Sequence, residues 1–461
     1  MDVELEHGHG HGAGAAAAAG TSAMPSVSSQ LAALCDKVRT LSDPGTGSAA
    51  RKVAETCICM AICNLGNAAS PELARMTVPL TNAYRFQDTR VSWTGTHGYV
   101  RKVRHLATGK VFAVKALYYQ PPPPRAEEAA AEAANARLVL REACFLAACR
   151  GHPSLVRFYG VTRHAAAARY CLAMEYVGPS LHDVVAAELR RGKPFPERAA
   201  RRVVRQVLAG AAAMHGRGVV HRAIEPRNVL VAAGGAAVKI GDFGEAACMS
   251  ETDAPYTARS AYMPPEELLA AAAGAAGSHE TIDSWSIGCL MAELLTGKPL
   301  FEVAAGKDER AQQLHKIFRV LGAPGKRTMR AIKAQGSALA GEVEQWRAWQ
   351  RCRAGKQRGG NRLLRELIPG DVLSADGFEV LKGLLKCNPD KRLTAAAALR
   401  LPWFTGKDLP LPAARAPQGH DTDTELEQWL ITCRQLGLLN LIWMAVLGIC
   451  RYIRRWYRSL S

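Results

Sequence analysis

Residues 221–228 read HRAIEPRN, and what surrounds this stretch decides the fold. Downstream comes Asp242-Phe243-Gly244, a carboxylate next to an aromatic and a glycine. Upstream, the strand-forming run Val111-Phe112-Ala113-Val114-Lys115 ends on a lysine, and Glu142 in LREACFL places a carboxylate on a helical segment. Further upstream, WTGTHGYV carries Gly95 and Gly98 in a hairpin pattern. Taken singly, Lys115 and Glu142 read as surface charges. In this order, between a glycine hairpin and Asp242, they read as one site.

The residue types suit a bound polyphosphate. Only glycine lets backbone N–H groups approach phosphates closely, which gives Gly95 and Gly98 their purpose. Val100, with Ala113 on the neighbouring strand, can enclose a flat base. A lysine ending a buried strand can meet phosphate oxygens, and it needs a carboxylate such as Glu142 to hold it. Asp242 and Asn228 offer oxygen ligands of the kind Mg²⁺ takes.

These ordered motifs resemble the eukaryotic protein kinase superfamily, over about residues 84–404. Within it the chain is similar to the cyclin-dependent-kinase-like branch, especially its plant forms from grasses. MPPEE at 263–267, DSWSIGCLMAELLTGKPLF at 283–301, LHKIFRVLGAP at 314–324 and NPDKRLTA at 388–395 stand where that branch has corresponding motifs. The resemblance implies an α+β, bilobal kinase fold: a small five-stranded β lobe with one helix, and a large helical lobe. It implies ATP and Mg²⁺ as ligands. It also implies that Asp283 anchors the loop carrying His221 and Arg222, that Glu266 pairs with Arg392, and that Leu146, Phe158, Phe243 and His221 stack into a column linking the lobes. Met174 and the Glu175-Tyr176-Val177 that follows resemble the strand between the lobes of a protein kinase, which implies backbone bonds from Glu175 and Val177 to the edge of the base.

The same resemblance exposes a departure. Where the family has HRDxKPxN, this chain has Ala223 for the aspartate that accepts the substrate hydroxyl's proton. It has Glu225 for the lysine beside the γ-phosphate. Losing a general base costs about 10²–10⁴-fold in rate. Turning a cation into an anion there reverses an interaction worth roughly 4 kcal/mol per charge pair at about 4 Å. Arg259, Glu245 and Pro264 also replace the family's usual residues. The expectation is a nucleotide-binding protein with impaired phosphoryl transfer, acting as a scaffold or allosteric regulator. The alternatives are an active Ser/Thr kinase, with Glu225 or Glu245 as a displaced base, and a membrane-tethered adaptor.

Composition sets wider bounds. The chain has 461 residues, of which 48% are hydrophobic, enough for one large domain with flanking segments. The net charge is +18, but the arginines are spread along the chain, so no nucleic acid partner is expected. Thirteen cysteines lack metal spacing, and Cys57, Cys59 and Cys63 read as buried small hydrophobes. No secretory signal is visible, which points to a reducing intracellular compartment, nucleus or cytoplasm.

Residues 1–25 read as disordered low complexity, with His7, His9 and His11 as a loose metal alternative. Residues 26–83 read as a helical extension. Leu31, Leu34, Val38 and Leu41 share one face behind Ser28 or Ser29 as a cap, and Val53, Cys57, Ile58, Ile62 and Leu65 resume the pattern after Pro44 and Gly45. It needs a partner surface, the adjoining domain or a coiled-coil mate. Arg198, Arg201, Arg202 and Arg205 share a helix face, read as solvated or as a dock for an acidic partner. Residues 346–365 form a second Arg-rich stretch in the place of a partner-binding insertion. Protein partners are expected. A cyclin is not, because NARLVLRE lacks the PSTAIRE pattern. Thr252, Thr257 and Ser260 are candidate phosphorylation sites, with Arg222 as the phosphate's partner. Residues 405–425 read as a linker, and 426–461 as a hydrophobic and basic tail whose residues 436–458 reach a membrane or pack on the domain.

Overall fold

The computed structural model describes residues 26–40, 54, 57–58, 61–62, 91–94, 98–104, 111–117, 128–164, 169–190, 195–251, 261–268, 279–304, 309–322 and 362–405. Gly95, Thr252, Thr257, Arg259, Ser260, most of 346–365 and the tail at 436–458 fall outside them.

The first lobe is an antiparallel sheet of five strands: β1 (Val91–Thr94), β2 (Gly98–Arg104), β3 (Val111–Leu117), β4 (Phe158–His164) and β5 (Arg169–Glu175), in the order β1-β2-β3-β5-β4. Alternation along β3 sorts its side chains. Phe112, Val114 and Ala116 join Val103 and Cys171 in a small cluster on one face, while Ala113 lies in the main core on the other. Lys115, two residues on, shares the face of Ala113. Register puts Lys115 opposite Val100 of β2 and Leu172 of β5.

Helix α2 (Glu128–Ala148) follows β3 and packs on β4 and β5. Its residues Val139–Ala148 are buried apart from Arg141. An earlier helix, α1 (Val27–Thr40), packs across α2. As the spacing predicts, Leu31, Leu34 and Val38 form its buried face, in one core with Val139, Ala143 and Leu146. The cap differs from the expectation. Ser26 Oγ accepts from Ser29 N–H at 3.2 Å, so the helix starts one turn before Ser29 rather than on Ser28 or Ser29. Ile58 and Ile62 join the same core, whereas Cys57 is exposed and corrects its reading as a buried hydrophobe. Leu41, Val53, Cys59, Cys63 and Leu65 lie outside the described residues. The buried thiols among the described residues belong to Cys35, Cys144, Cys149, Cys171, Cys248 and Cys289, and the hydrogen bond with Cys144 is the main cause pushing the Cys35 thiol up to about 12.

The second lobe is helical. Its described helices are α3 (Leu181–Arg190), α4 (Glu197–His215), α5 (Thr281–Thr296), α6 (Glu309–Leu321), α7 (Arg362–Leu367), α8 (Ala375–Leu384), α9 (Ala395–Ala398) and α10 (Pro402–Thr405). Every residue of α5 from Thr281 to Leu295 is buried, including the polar Asp283, Ser284, Ser286 and Glu293 among its apolar side chains. Between α4 and α5 lie four short strands: β6 (Val219–Val220) pairs with β9 (Ala247–Cys248), and β7 (Val229–Val231) with β8 (Val238–Ile240). The chain passes from β5 to α3 through Gly178, where a Cβ would collide with the Val231 carbonyl. On α4, Arg201 lies over the Trp403 ring at 5.5 Å and near Glu197, so this arginine is structural and not part of a solvated face; Arg198 and Arg202 are exposed. Among the described residues no helix is long and apolar enough to cross a membrane.

Candidate nucleotide site

Lys115 lies between two carboxylates. Its Nζ donates to both Glu142 oxygens at 2.9 Å and to Asp242 Oδ1 at 2.7 Å. Lys115 and Glu142 are buried, and Asp242 is the most open of the three. Burial alone would lower the lysine's pKa, but Asp242 and Glu142 outweigh it and hold the group above its usual range. Asp242 is held below the usual carboxylate range because Lys115 and the Gly244 N–H overcome its desolvation. Glu142 goes the other way, raised by burial and by the charge of Asp242. Two carboxylates sharing one ammonium leave the cluster anionic, ready for a divalent cation.

The rest of the pocket is built around this cluster. A Cβ at Gly244 would stand 3.2 Å from Asp242 Oδ1 and 3.7 Å from Lys115 Nζ, so glycine there keeps the front of the cluster open. Gly98 is buried at the start of β2, and Val100 and Val177 pack half-buried against the core. Ala113 is paired with Met174. Glu175 turns elsewhere: its N–H donates to Arg157 O at 2.9 Å, and its carboxylate takes Lys239 and the Arg157 N–H, both at 2.6 Å. That narrows the sequence reading, since the Glu175 N–H and carboxylate are both taken.

The loop at 221–228 is held by Asp283, which is wholly buried. Its carboxylate accepts from the N–H of His221 (2.9 Å) and of Arg222 (2.8 Å), and meets His215 Nε2 at 2.8 Å. Burial pushes Asp283 up, but these partners bring it below the usual range. Arg222 and Asp242 both adopt left-handed backbone, φ 67° and 60°, a conformation that side-chain-bearing residues hold only when the surroundings enforce it. His221 Nε2 bonds Gly241 O at 3.0 Å, its Nδ1 faces the Ala223 N–H at 3.3 Å, and its ring meets Phe243 edge-on at 4.9 Å. Leu146, Phe158, His221 and Phe243 are all buried. Arg392 holds Glu266 through two bonds of 2.5 and 2.8 Å.

Asn228 Nδ2 donates to the Ala223 carbonyl at 2.9 Å, leaving its amide oxygen as an acceptor. One carboxylate (Asp242) and one amide oxygen (Asn228) are hard donors that fit Mg²⁺, with phosphate and water to complete the shell. The cation would supply charge neutralisation at phosphate oxygens. Among the described residues no group of three His, Cys, Asp or Glu side chains could hold a metal on its own.

At position 223 there is a methyl group, half-buried, in a loop whose backbone bonds are intact. Glu225, two residues on, lies close enough to Tyr262 and Glu293 to help raise both. Burial is the larger cause for each, and Tyr262 donates its hydroxyl to Glu293. Glu302 adds to the same effect on Glu293. Three carboxylates thus lie near this side of the loop, with Arg227 opposing their effect on Glu293. Sequence reading missed this cluster, as it missed the Lys239–Glu175 and His215–Asp283 pairs. These partners lie 31, 64 and 68 residues apart, and no local spacing marks them.

A protein kinase is the class that this two-lobed fold and the Lys115–Glu142–Asp242 site define. The protein kinase domain family matches residues 90–404, more than half of the chain, and the chain belongs to that family. Within it, the chain is a cyclin-dependent-kinase-like member. It is 41% identical to a putative cyclin-dependent kinase F-2 of Oryza sativa subsp. japonica, over 68% of this chain and 88% of that protein. It is 33% identical to cyclin-dependent kinase G1 of Arabidopsis thaliana, over 70% of this chain and 48% of that one. Cyclin-dependent kinase B2-1 of Oryza sativa subsp. japonica shares 30% identity, over 67% and 86%.

Proposed function

We propose that this chain binds ATP with Mg²⁺ and transfers its phosphate poorly or not at all, serving as a pseudokinase scaffold or allosteric regulator. The observation that carries this reading is the contrast inside one loop. Asp283, His221 and Asn228 hold the backbone of 221–228 in place, while the side chains at 223 and 225 are a methyl group and a carboxylate. Ala223 has no atom that can accept the hydroxyl proton of a substrate. Glu225 adds to the negative charge of Glu293 and Glu302, which opposes a phosphoryl group in transit.

On the nucleotide side, Lys115 would bind α- and β-phosphate oxygens with Glu142 holding it. Asp242 and Asn228 would hold Mg²⁺, and the base would rest between Val100 and Ala113 with its edge at Glu175 and Val177. Arg222 keeps its place in the loop by donating its N–H to Asp283. The curated relatives are cyclin-dependent by name. For this chain a cyclin is not part of the reading, because NARLVLRE on α2 lacks the PSTAIRE pattern and α1 packs on that helix. Other protein partners are. All eight described cysteines are free thiols, which supports a reducing setting, in nucleus or cytoplasm.

Thermal-shift titration of the full chain tests nucleotide binding. ATP with Mg²⁺ raises the midpoint, and Lys115→Met abolishes the rise. No shift in the wild type overturns the binding half. Transfer of radiolabelled phosphate to a generic protein substrate tests the other half. Turnover at an ordinary kinase rate that disappears in Asp242→Asn overturns it and makes the chain an active Ser/Thr kinase.

A further inference from the structure

The residues that match the kinase domain begin at 90, yet the core of the first lobe includes a helix that ends at Thr40. Helix α1 touches three elements that bear on the nucleotide site. Its face of Leu31, Leu34, Cys35 and Val38 is buried against α2, the helix that carries Glu142. Its first turn abuts the turn before β6, where a Cβ at Gly218 would collide with Ser28 Oγ. Its C-terminal half meets the segment just after Asp242-Phe243-Gly244. There Cys35 Sγ is 4.0 Å from Cys248 Sγ, and Arg39 bonds Glu251 at 2.9 Å.

Glu251 is shared. Its other oxygen accepts from Arg141 at 3.1 Å, and Arg141 is the residue next to Glu142 on α2. One carboxylate thus binds α1, α2 and the root of the 242–266 segment into a single junction. The Lys115–Glu142 pair requires α2 to lie close against the sheet, because it exists only at that distance. Burial of the α1 face on α2 and the Glu251 junction both favour that position. The helix therefore adds nothing to the chemistry of the pocket but acts on where one of its walls stands.

We propose that α1 is an intrachain clamp for the nucleotide site. It holds α2 where Glu142 reaches Lys115 and couples that position to the start of the segment after Asp242, so the outer face of α2 is occupied by the chain's own residues 27–40. Leu31, Leu34, Val38, Arg39, Arg141 and Glu251 are positioning residues in this arrangement. The consequence for nucleotide affinity rests on the ATP-binding reading above; the clamp itself does not.

The test uses the full chain with Leu34→Asp, which places a charge in the α1–α2 seam, and separately Glu251→Ala, which removes the carboxylate that joins Arg39 to Arg141. Amide hydrogen exchange without nucleotide reads the clamp directly. In both variants exchange over residues 140–148 of α2 rises about tenfold or more while α5 stays protected. The dissociation constant for ADP with Mg²⁺ rises in step, about tenfold if α2 holds its competent position a tenth of the time. Unchanged protection of 140–148 in Glu251→Ala, with α1 itself exchanging faster, overturns the clamp. If Leu34→Asp also exposes α5, the chain has unfolded and Glu251→Ala alone decides. If the wild type binds no nucleotide, the ATP reading falls and the exchange of α2 still decides the clamp.

Discussion

On the sheet side of the cleft, Lys115, Glu142 and Asp242 form a closed set of charged hydrogen bonds in which each group depends on the others. On the helical side, the loop at 221–228 has the same degree of order but obtains it from its backbone. Asp283 grips N–H groups that any residue would supply, and Asn228 grips a carbonyl. The side chains at 223 and 225 are not needed for any of these bonds. The difference teaches that a loop held through its backbone can keep its shape whatever side chains stand at 223 and 225. Side chains that hold the scaffold and side chains that act on substrate are separate here, whereas in the nucleotide half they are the same residues.

The strongest way to break this comparison is to restore the missing groups. Ala223→Asp with Glu225→Lys rebuilds HRDxKPxN on a backbone already in position. Phosphate transfer rises by about 10²–10⁴-fold for the base alone, with more from the cation. Ala223→Asp by itself gives less, because Glu225 still faces the incoming phosphate. No gain from the pair would show that the substrate half is disabled elsewhere, with Glu293 and Glu302 the next groups to change.

Lys115→Met probes the opposite half and has the next largest effect. It leaves Glu142 and Asp242 buried together without their cation. Removing one partner of a buried pair costs about 3–5 kcal/mol. Chemical denaturation at neutral pH should show a loss of that order, while Ala223→Gly, at a side chain that holds nothing, changes stability far less. Equal losses in the two variants would end the distinction between the halves.

Much of this was legible in the sequence. Strand alternation, the lysine at the end of β3 and the order of the motifs fixed the sheet lobe and the members of the cluster. The backbone bonds of Asp283 matched what the family resemblance implies. The group of Glu225, Glu293 and Glu302 was not legible, because its members come from separate segments and only folding brings their charges together. The cap at Ser26 was missed because three serines within four residues offer the same chemistry, and only the direction of the chain before Val27 selects one. The exposure of Cys57 was missed because a helical period places a face without saying how much of it a neighbour covers. The Glu251 junction joins residues 212 and 110 positions apart and left no local trace.

His221 belongs to both halves and gives the finest test. Its Nε2–H donates to Gly241 O beside Asp242, and its Nδ1 accepts the Ala223 N–H, so the neutral ring has one tautomer and both nitrogens used. Burial holds its pKa below 6.5, with Lys115 adding to that, while the charges of Asp283 and Asp242 and the bond to Gly241 pull the other way. A base whose folded pKa is lowered contributes stability that is complete above the unfolded value. That contribution is lost as pH falls through 6.5 toward the folded value, because the unfolded chain then takes up the proton first. The loss approaches about 1.4 kcal/mol per pH unit for one group. His152, also lowered by burial, adds in the same direction. Urea unfolding of the wild type between pH 7.5 and 5.5 should therefore show falling stability, and His221→Phe should flatten the slope while lowering the plateau. A slope identical in wild type and variant would mean that the ring carries a proton without disturbing either Gly241 or Ala223, and that the two halves of the cleft do not meet at this residue.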